Sequence, residues 1–281
     1  MHKFLVSRGK KLSLGRPLIM GVLNVTPDSF SDGGKFLDLN QAVKRALTMV
    51  QEGADIIDIG GESSGPDSQN VSLKEELARV IPVVRMLRAQ TTAWVSVDTY
   101  KAEVARSAIE AGADMINDVT AFRGDKQMAS VVAAAGVPVV IMYSKDSSAR
   151  TTRKVVKYKN VVSFVQKFLK ERVAVGMKAG ILKGQFILDP GMGAFVSGEP
   201  KYSLQILKKL EKFGDMGLPI LIGASRKGFI GQVLGVSLDE RLEGGLAAHA
   251  LAVLHGAAII RTHDVKETRR VVDMVSAILK S

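Results

Sequence analysis

The sequence predicts an α/β protein, a single (β/α)8 TIM barrel spanning residues 1–281 with its active site at the C-terminal ends of the strands. Three observations predict it. Short apolar runs rich in Val, Ile and Leu alternate with amphipathic helical stretches, and there are eight of each. The runs are nearly continuous in apolar residues rather than alternating, as strands buried on both faces of a parallel sheet are. Polar and Gly-rich residues collect after the runs, whereas the segments before them carry mainly Gly, Ala and Pro. Strictly alternating units imply crossover connections, and eight of them close into a barrel. An open doubly wound sheet is the runner-up. Eight units with no break in composition favour the barrel.

Taken in order, the first run is 18–25, followed by a helical stretch at about 40–52. The second run, 55–59, precedes 73–89; the third, 93–97, precedes 101–111; the fourth, 115–117, precedes 126–135. The fifth, 137–142, precedes the long stretch 160–179, and the sixth, 185–188, precedes 202–213. The seventh, 219–222, and the eighth, 258–260, precede 238–254 and 265–279. Several helical stretches stop at a glycine, as at Gly53, Gly112 and Gly256, where a left-handed residue ends a helix. The repeated Gly-Ala-Asp or Gly-Ala-Ala that follows is loop chemistry and says little about function.

Composition narrows the function classes. With 46% hydrophobic and 24% charged residues, the chain is long enough to bury a sizeable core. It contains no cysteine, which excludes disulfides, thiolate zinc sites and a cysteine nucleophile. No apolar run approaches the ~20 residues of a membrane helix. The run from Leu18 to Leu23 follows basic residues, as in a signal peptide, but it breaks at Asn24 with no small-residue cleavage site. It is read as a buried first strand of a cytoplasmic protein. The net charge of +11 favours anionic ligands. Arg150, Arg153, Lys154, Lys157 and Lys159 form the densest basic stretch. It has only Tyr158 for stacking and no binding motif around it, so a solvated loop is expected and no nucleic-acid partner.

The ends of the strands carry the candidate site. Asp98, Asn117 and Asp189 follow the third, fourth and sixth runs and converge on one mouth. Buried there, they need partners. Each also has a structural alternative. Asp98 can cap the helix starting near Lys101, and Asp264 the last helix. Asn117 can satisfy strand-end backbone, Asp189 before Pro190 can make a turn, and Glu62 can bond nearby backbone. His249 and His255 lie on a helix and are read as structural. Coplanar Asp and Asn groups suit a heterocycle with an amidine edge. Arg226, Lys227, Arg261 and His263 make a cationic set after the last two strands, where such barrels frequently bind phosphate. The expected ligand is a polar heteroaromatic ring bearing a phosphate or diphosphate. Walker, GxGxxG and HExxH motifs are absent.

Several motifs resemble the dihydropteroate synthase family: MGVLNVTPDSFSDGG at 20–34, SVDTYKAEVARSAIEAGADMINDV at 96–119, and then DPGMG, SRKGFIG and RTHDV in the family's order. The resemblance spans nearly the whole chain. It implies an enzyme that condenses 6-hydroxymethyl-7,8-dihydropterin diphosphate with p-aminobenzoate, giving dihydropteroate and pyrophosphate. It also implies that Asp98, Asn117, Asp189 and Lys227 hold the pterin and that Met142 lines its pocket. Asn24 would hold Mg²⁺ with the diphosphate, and Arg261 and His263 would bind the diphosphate. Loops containing Thr26 and Ser64 would close over the site, Ser225 and Arg226 would face the aminobenzoate, and the enzyme would be a homodimer. Three places depart from the pattern. The family's Glu-Ser-Thr-Arg-Pro-Gly is Glu62-Ser63-Ser64-Gly65-Pro66-Asp67, which lacks the arginine. The Phe-Gly-Lys after the sixth run is Ala194-Phe195-Val196, and Met-His-Met is Met142-Tyr143-Ser144. The alternatives are a pterin-diphosphate transferase with another amine acceptor and a non-catalytic pterin-binding paralogue.

Overall fold

A computed structural model describes residues 4–25 and 35–281. It opens with an antiparallel hairpin, β1 (Phe4–Ser7) and β2 (Lys10–Ser13), turned by Arg8 and Gly9, both at positive φ. A two-residue turn with that geometry matches the right-handed twist of the strands it joins. Eight parallel strands follow: β3 (Leu18–Asn24), β4 (Ile56–Gly60), β5 (Trp94–Asp98), β6 (Met115–Asp118), β7 (Val139–Met142), β8 (Phe186–Asp189), β9 (Leu221–Ile222) and β10 (Ile259–Thr262). Their order is β8-β7-β6-β5-β4-β3-β10-β9, and a parallel bridge from Leu188 to Ile220 joins the two ends into a ring. All eight predicted runs are strands of this barrel.

The helices are α1 (Lys35–Gln51), α2 (Leu73–Arg88), α3 (Ala102–Glu110), α4 (Met128–Ala135), α5 (Val161–Lys178), α6 (Pro200–Lys208), α7 (Gly228–Leu234), α8 (Leu242–Leu254) and α9 (Val265–Ile278). The stretch expected at 202–213 divides into α6 and a 3₁₀ segment, Leu210–Met216. The short α7 and the hairpin were not expected. Seven residues are too few to show a helical period in α7, and the basic sequence KFLVSRGKKLS hides the hairpin's alternation.

Side chains on each strand alternate between the barrel interior and the helix layer. Outward residues such as Ile57, Val95, Ile116 and Val139 join the large core between sheet and helices. Inward residues Leu18, Met20, Ile56, Trp94, Met115, Val140, Ile187, Leu221 and Ile259 fill the lower barrel, and Leu5 of the hairpin plugs it from below. The N-terminal ends of the strands are not apolar throughout. Asp55 accepts from the Ile19 amide at 2.9 Å, and Asp114 from the Val95 amide at 2.9 Å. The aspartates of the repeated Gly-Ala-Asp therefore lock neighbouring strands together. Arg16 and Arg88 pair with them.

Candidate active site

Above the apolar plug the interior turns polar. Strand register sets Asp58 level with Ser96, and one layer higher Gly60 level with Asp98 and then Asn117. Arg261, which starts lower on β10 beside Met20, reaches across the barrel. Its Nε donates to Asp58 Oδ2 at 2.7 Å and its other arm to Asp98 Oδ2 at 2.8 Å. Asn117 Nδ2 donates to the same Asp58 oxygen at 3.0 Å, which leaves the Asn117 carbonyl free to accept from a ligand. Asp58 is fully buried, and its Oδ1 has no partner among the described residues. It is the residue that sequence reasoning missed. The available signal was one carboxylate inside the apolar run Ile56–Gly60, on the inward side of the alternation.

The second half of the site comes from the loops after β8 and β9. Asp189 Oδ1 accepts from the Gly191 amide at 2.7 Å, so the turn-making role is real, but it occupies one oxygen only. Gly191 sits at φ +71, and an added Cβ would lie 2.3 Å from the Tyr143 carbonyl oxygen; only glycine closes this turn. Lys227 is flanked by Asp189 and Asp98, and its Nζ lies 4.6 Å from the Phe195 ring centroid, within cation–π range. Met142, Val119 and Phe195 form a small apolar wall beside it.

Burial governs the charges here. It pushes the Asp98 carboxyl up to about 7, with Arg261 pulling down and Asp58 pushing further up. It pushes Asp189 up to about 6, against the Gly191 amide, Lys227 and Arg261. It lowers Lys227 to about 8, against the pull of Asp189. Three carboxylates thus face two cations in a site short of positive charge. Such a site suits a ligand that offers N–H donors or develops positive charge.

The expected cationic set is largely spent on internal partners. Arg261 is committed to Asp58 and Asp98. Arg226, at φ +56, makes a two-pronged contact with Asp264, 2.6 Å to Oδ1 and 3.1 Å to Oδ2. Burial, then Arg261, lowers His263 to about 4, so its imidazole is neutral at pH 7 and rests 3.2 Å from Ser225 Oγ. The capping alternatives fall away. Asp264 precedes α9 but its side chain makes no cap bond. The first amide of α3, at Ala102, is met by Asp125 rather than Asp98. Glu62 bonds Lys101 at 2.6 Å and Arg150 at 2.9 Å, not backbone. His255 bonds the Leu207 carbonyl, and His249 is buried against Thr268, both at contacts between helices.

Ser64 lines a narrow cleft with Asp98, Thr99, Tyr100, Val119 and Ala149. Asn24 ends β3 opposite Gly60, whose missing side chain leaves room between Asn24 Oδ1 and Asp98. Thr26 lies outside the described residues. Within the basic stretch Arg153, Lys154, Lys157 and Lys159 are exposed as expected, whereas Arg150 is held by Glu62; beside it Lys145 and Thr151 both bond the Ala194 carbonyl, and the Thr151 amide bonds the Ser64 carbonyl at 3.1 Å.

A polar cluster at the C-terminal mouth of a closed (β/α)8 barrel, poor in positive charge and edged by Asp and Asn, is a site for a small polar ligand of a barrel enzyme. The chain matches the model of the pterin binding enzyme family over residues 20–263, and it belongs to that family. Its relatives are dihydropteroate synthases. The Escherichia coli (strain K12) enzyme is 43% identical over 99% of this chain and 97% of its own length. The Clostridium beijerinckii enzyme is 42% identical over 96% and 98%. Among solved structures, the Xanthomonas albilineans dihydropteroate synthase with 4-aminobenzoic acid superposes with a TM-score of 0.92 at 41% identity, covering 100% of both chains. The same enzyme in complex with 7,8-dihydropteroate gives 0.88, covering 99% of both.

Proposed function

We infer that this chain is a dihydropteroate synthase. It transfers the dihydropterin-methyl group of 6-hydroxymethyl-7,8-dihydropterin diphosphate to the amine of p-aminobenzoate and releases pyrophosphate. The observation that carries this reading is the buried set of Asp98, Asn117, Asp189 and Lys227 around Arg261, in a chain of the pterin-binding family with full-length synthase relatives. The whole chain, 1–281, acts as one unit in this reading.

Asn117 and Asp189 would accept N–H groups along the edge of the pterin, while Lys227 donates to a ring acceptor. The bond between the methylene carbon and the diphosphate oxygen breaks, and both electrons leave with pyrophosphate. The amine lone pair then forms the new C–N bond, and the amine nitrogen loses one proton to the released pyrophosphate or to solvent. Asp98 and Asp189 favour the positive charge that develops on the pterin. His263 would meet the diphosphate as a neutral hydrogen-bond partner, and Ser225, 3.2 Å from it, would face the aminobenzoate. Arg226 would meet the aminobenzoate once drawn from Asp264. Met142 and Phe195 exclude water from the methylene carbon.

Mg²⁺ fits this site as a metal shared with substrate. Among the described residues no three acidic or His side chains form a metal cluster, but Mg²⁺ is commonly held by few protein ligands together with substrate phosphates. The exposed oxygen of Asn24 beside the gap at Gly60 would hold it against the diphosphate, where it would offset the leaving group's charge. A homodimer would cover the exposed apolar side chains of Leu254, Met274 and Ile278 on α8 and α9. A cytoplasmic location is part of this proposal.

The test is pyrophosphate release from the dihydropterin diphosphate with Mg²⁺, with and without p-aminobenzoate. Release that depends on p-aminobenzoate supports the reading, and binding without turnover contradicts it. Gly65 favours one second reading, a different amine acceptor, which would show as release with another arylamine only.

A further inference from the structure

The three segments that depart from the family's motifs are one connected structure. The segment 144–158 lies between the loop after β4 and the loop after β8 and bonds to both. Toward the β4 loop, Arg150 Nη2 donates to Glu62 Oε1 at 2.9 Å and to Asn70 Oδ1, and the Thr151 amide donates to the Ser64 carbonyl at 3.1 Å. Arg153 pairs with Asp67. Toward the β8 loop, Lys145 Nζ and Thr151 Oγ1 donate to the Ala194 carbonyl at 2.7 and 2.9 Å. The Lys145 amide reaches the Phe195 carbonyl at 2.8 Å, and the Tyr158 hydroxyl reaches the Val196 carbonyl at 2.7 Å.

This brace is built rather than incidental. The Lys145 side chain is 2% exposed and its ammonium has four oxygen partners. Glu62 is 7% exposed and receives both Arg150 and Lys101; Lys101 continues to the buried Glu76. Two acids and two cations balance, so the cluster holds position without leaving a net charge. It borders the cleft where Ser64 and Ala149 meet Asp98, and at its other end it carries Phe195 over Lys227. Gly65 itself has no side chain to hold the β4 loop in place.

We propose that Arg150 is a positioning residue for the amine substrate. Through Glu62 and in concert with Thr151 it fixes the Ser63–Gly65 loop, and the cleft that this loop shares with Asp98 and Ala149 would take the amine in this proposal. The proposal rests on the synthase reading for the identity of that substrate, but the brace itself does not. Because Arg150 acts on the β4 loop and not on the Asp98–Asn117–Asp189 set, its removal separates the two substrates.

Two measurements on the full chain test it. In steady-state kinetics, Arg150→Ala raises KM for p-aminobenzoate roughly tenfold or more, as expected for releasing a charge-assisted hydrogen bond. KM for the pterin diphosphate stays within about twofold, the melting temperature falls modestly because Glu62 loses a partner, and Arg150→Lys recovers part of both losses. In hydrogen exchange on the free protein, the amides of 63–68 exchange faster in Arg150→Ala, while those of β5 and β6 do not. Equal changes in both KM values, or no change in either, overturn the positioning role while leaving the synthase reading intact. Unchanged exchange at 63–68 overturns the brace. Failure of the unmodified chain to use p-aminobenzoate overturns the synthase reading instead, and exchange then still decides the brace.

Discussion

At Asp98, burial and an arginine pull in opposite directions. Burial wins, and the carboxyl is pushed up to about 7 from 3.8. An acid whose pKa is raised on folding contributes stability below its unfolded pKa and loses it as pH rises through the folded value. Asp98 therefore makes the free chain less stable between about pH 4 and 7 as pH rises. Asp98→Asn removes this dependence. Its melting temperature relative to the unmodified chain rises from about pH 4 to about pH 7 and then levels off, while pterin binding or turnover falls severely. A melting difference that is flat with pH contradicts the assignment. Asp58 holds both Arg261 and Asn117, so Asp58→Asn frees two groups that face the ligand. The loss is about 1.5–3 kcal/mol for a hydrogen bond to a charged group, roughly ten- to a hundredfold in pterin affinity by calorimetry. Affinity within twofold of the unmodified chain contradicts that role. Asp98, Asn117, Asp189, Lys227 and Arg261 were legible because polar residues stand out at the ends of apolar runs. Asp58 was not, because inside a strand only the inward alternation marks it. Pairing was illegible as well: nothing in the order of residues shows that Arg226 meets Asp264 or that His263 is neutral.

Among the elements, the hairpin closes the floor of the barrel and the turn at Asp189–Gly191 aims a site residue. β1 and β2 cover the floor of the barrel, and Leu5 is completely buried against Trp94, Met115 and their neighbours. Leu5→Ala leaves a cavity there at a cost of about 2–5 kcal/mol, read by denaturant unfolding. Because the plug lies beneath the mouth, KM for both substrates stays unchanged; a selective rise in either contradicts the division of the barrel into floor and site. Gly191→Ala meets the Tyr143 carbonyl and cannot keep the turn that aims Asp189, so it lowers both stability and pterin affinity. The eight strands were legible from continuous apolar runs, and most helix ends from their glycines. The hairpin, α7 and the 3₁₀ segment after α6 were not, since each is too short to show a period. The basic stretch was legible in part: Arg153, Lys154, Lys157 and Lys159 are exposed, as charge runs usually are, but Arg150 meets Glu62, which only folding brings near.

For the molecule as a whole, the net charge of +11 contrasts with a mouth where carboxylates outnumber cations. The basic surface favours the approach of anionic substrates, while the interior favours a ligand that turns cationic in reaction. Closure of the barrel makes this possible: five different strands and the loop after β9 deliver Asn24, Asp98, Asn117, Asp189, Arg261 and Lys227 to one mouth. The central claim is tested most directly by pyrophosphate release from 6-hydroxymethyl-7,8-dihydropterin diphosphate in Mg²⁺, followed with and without p-aminobenzoate. The account predicts release that requires p-aminobenzoate and yields dihydropteroate one for one with pyrophosphate. Pterin diphosphate binding with no release, whatever amine is supplied, would contradict it.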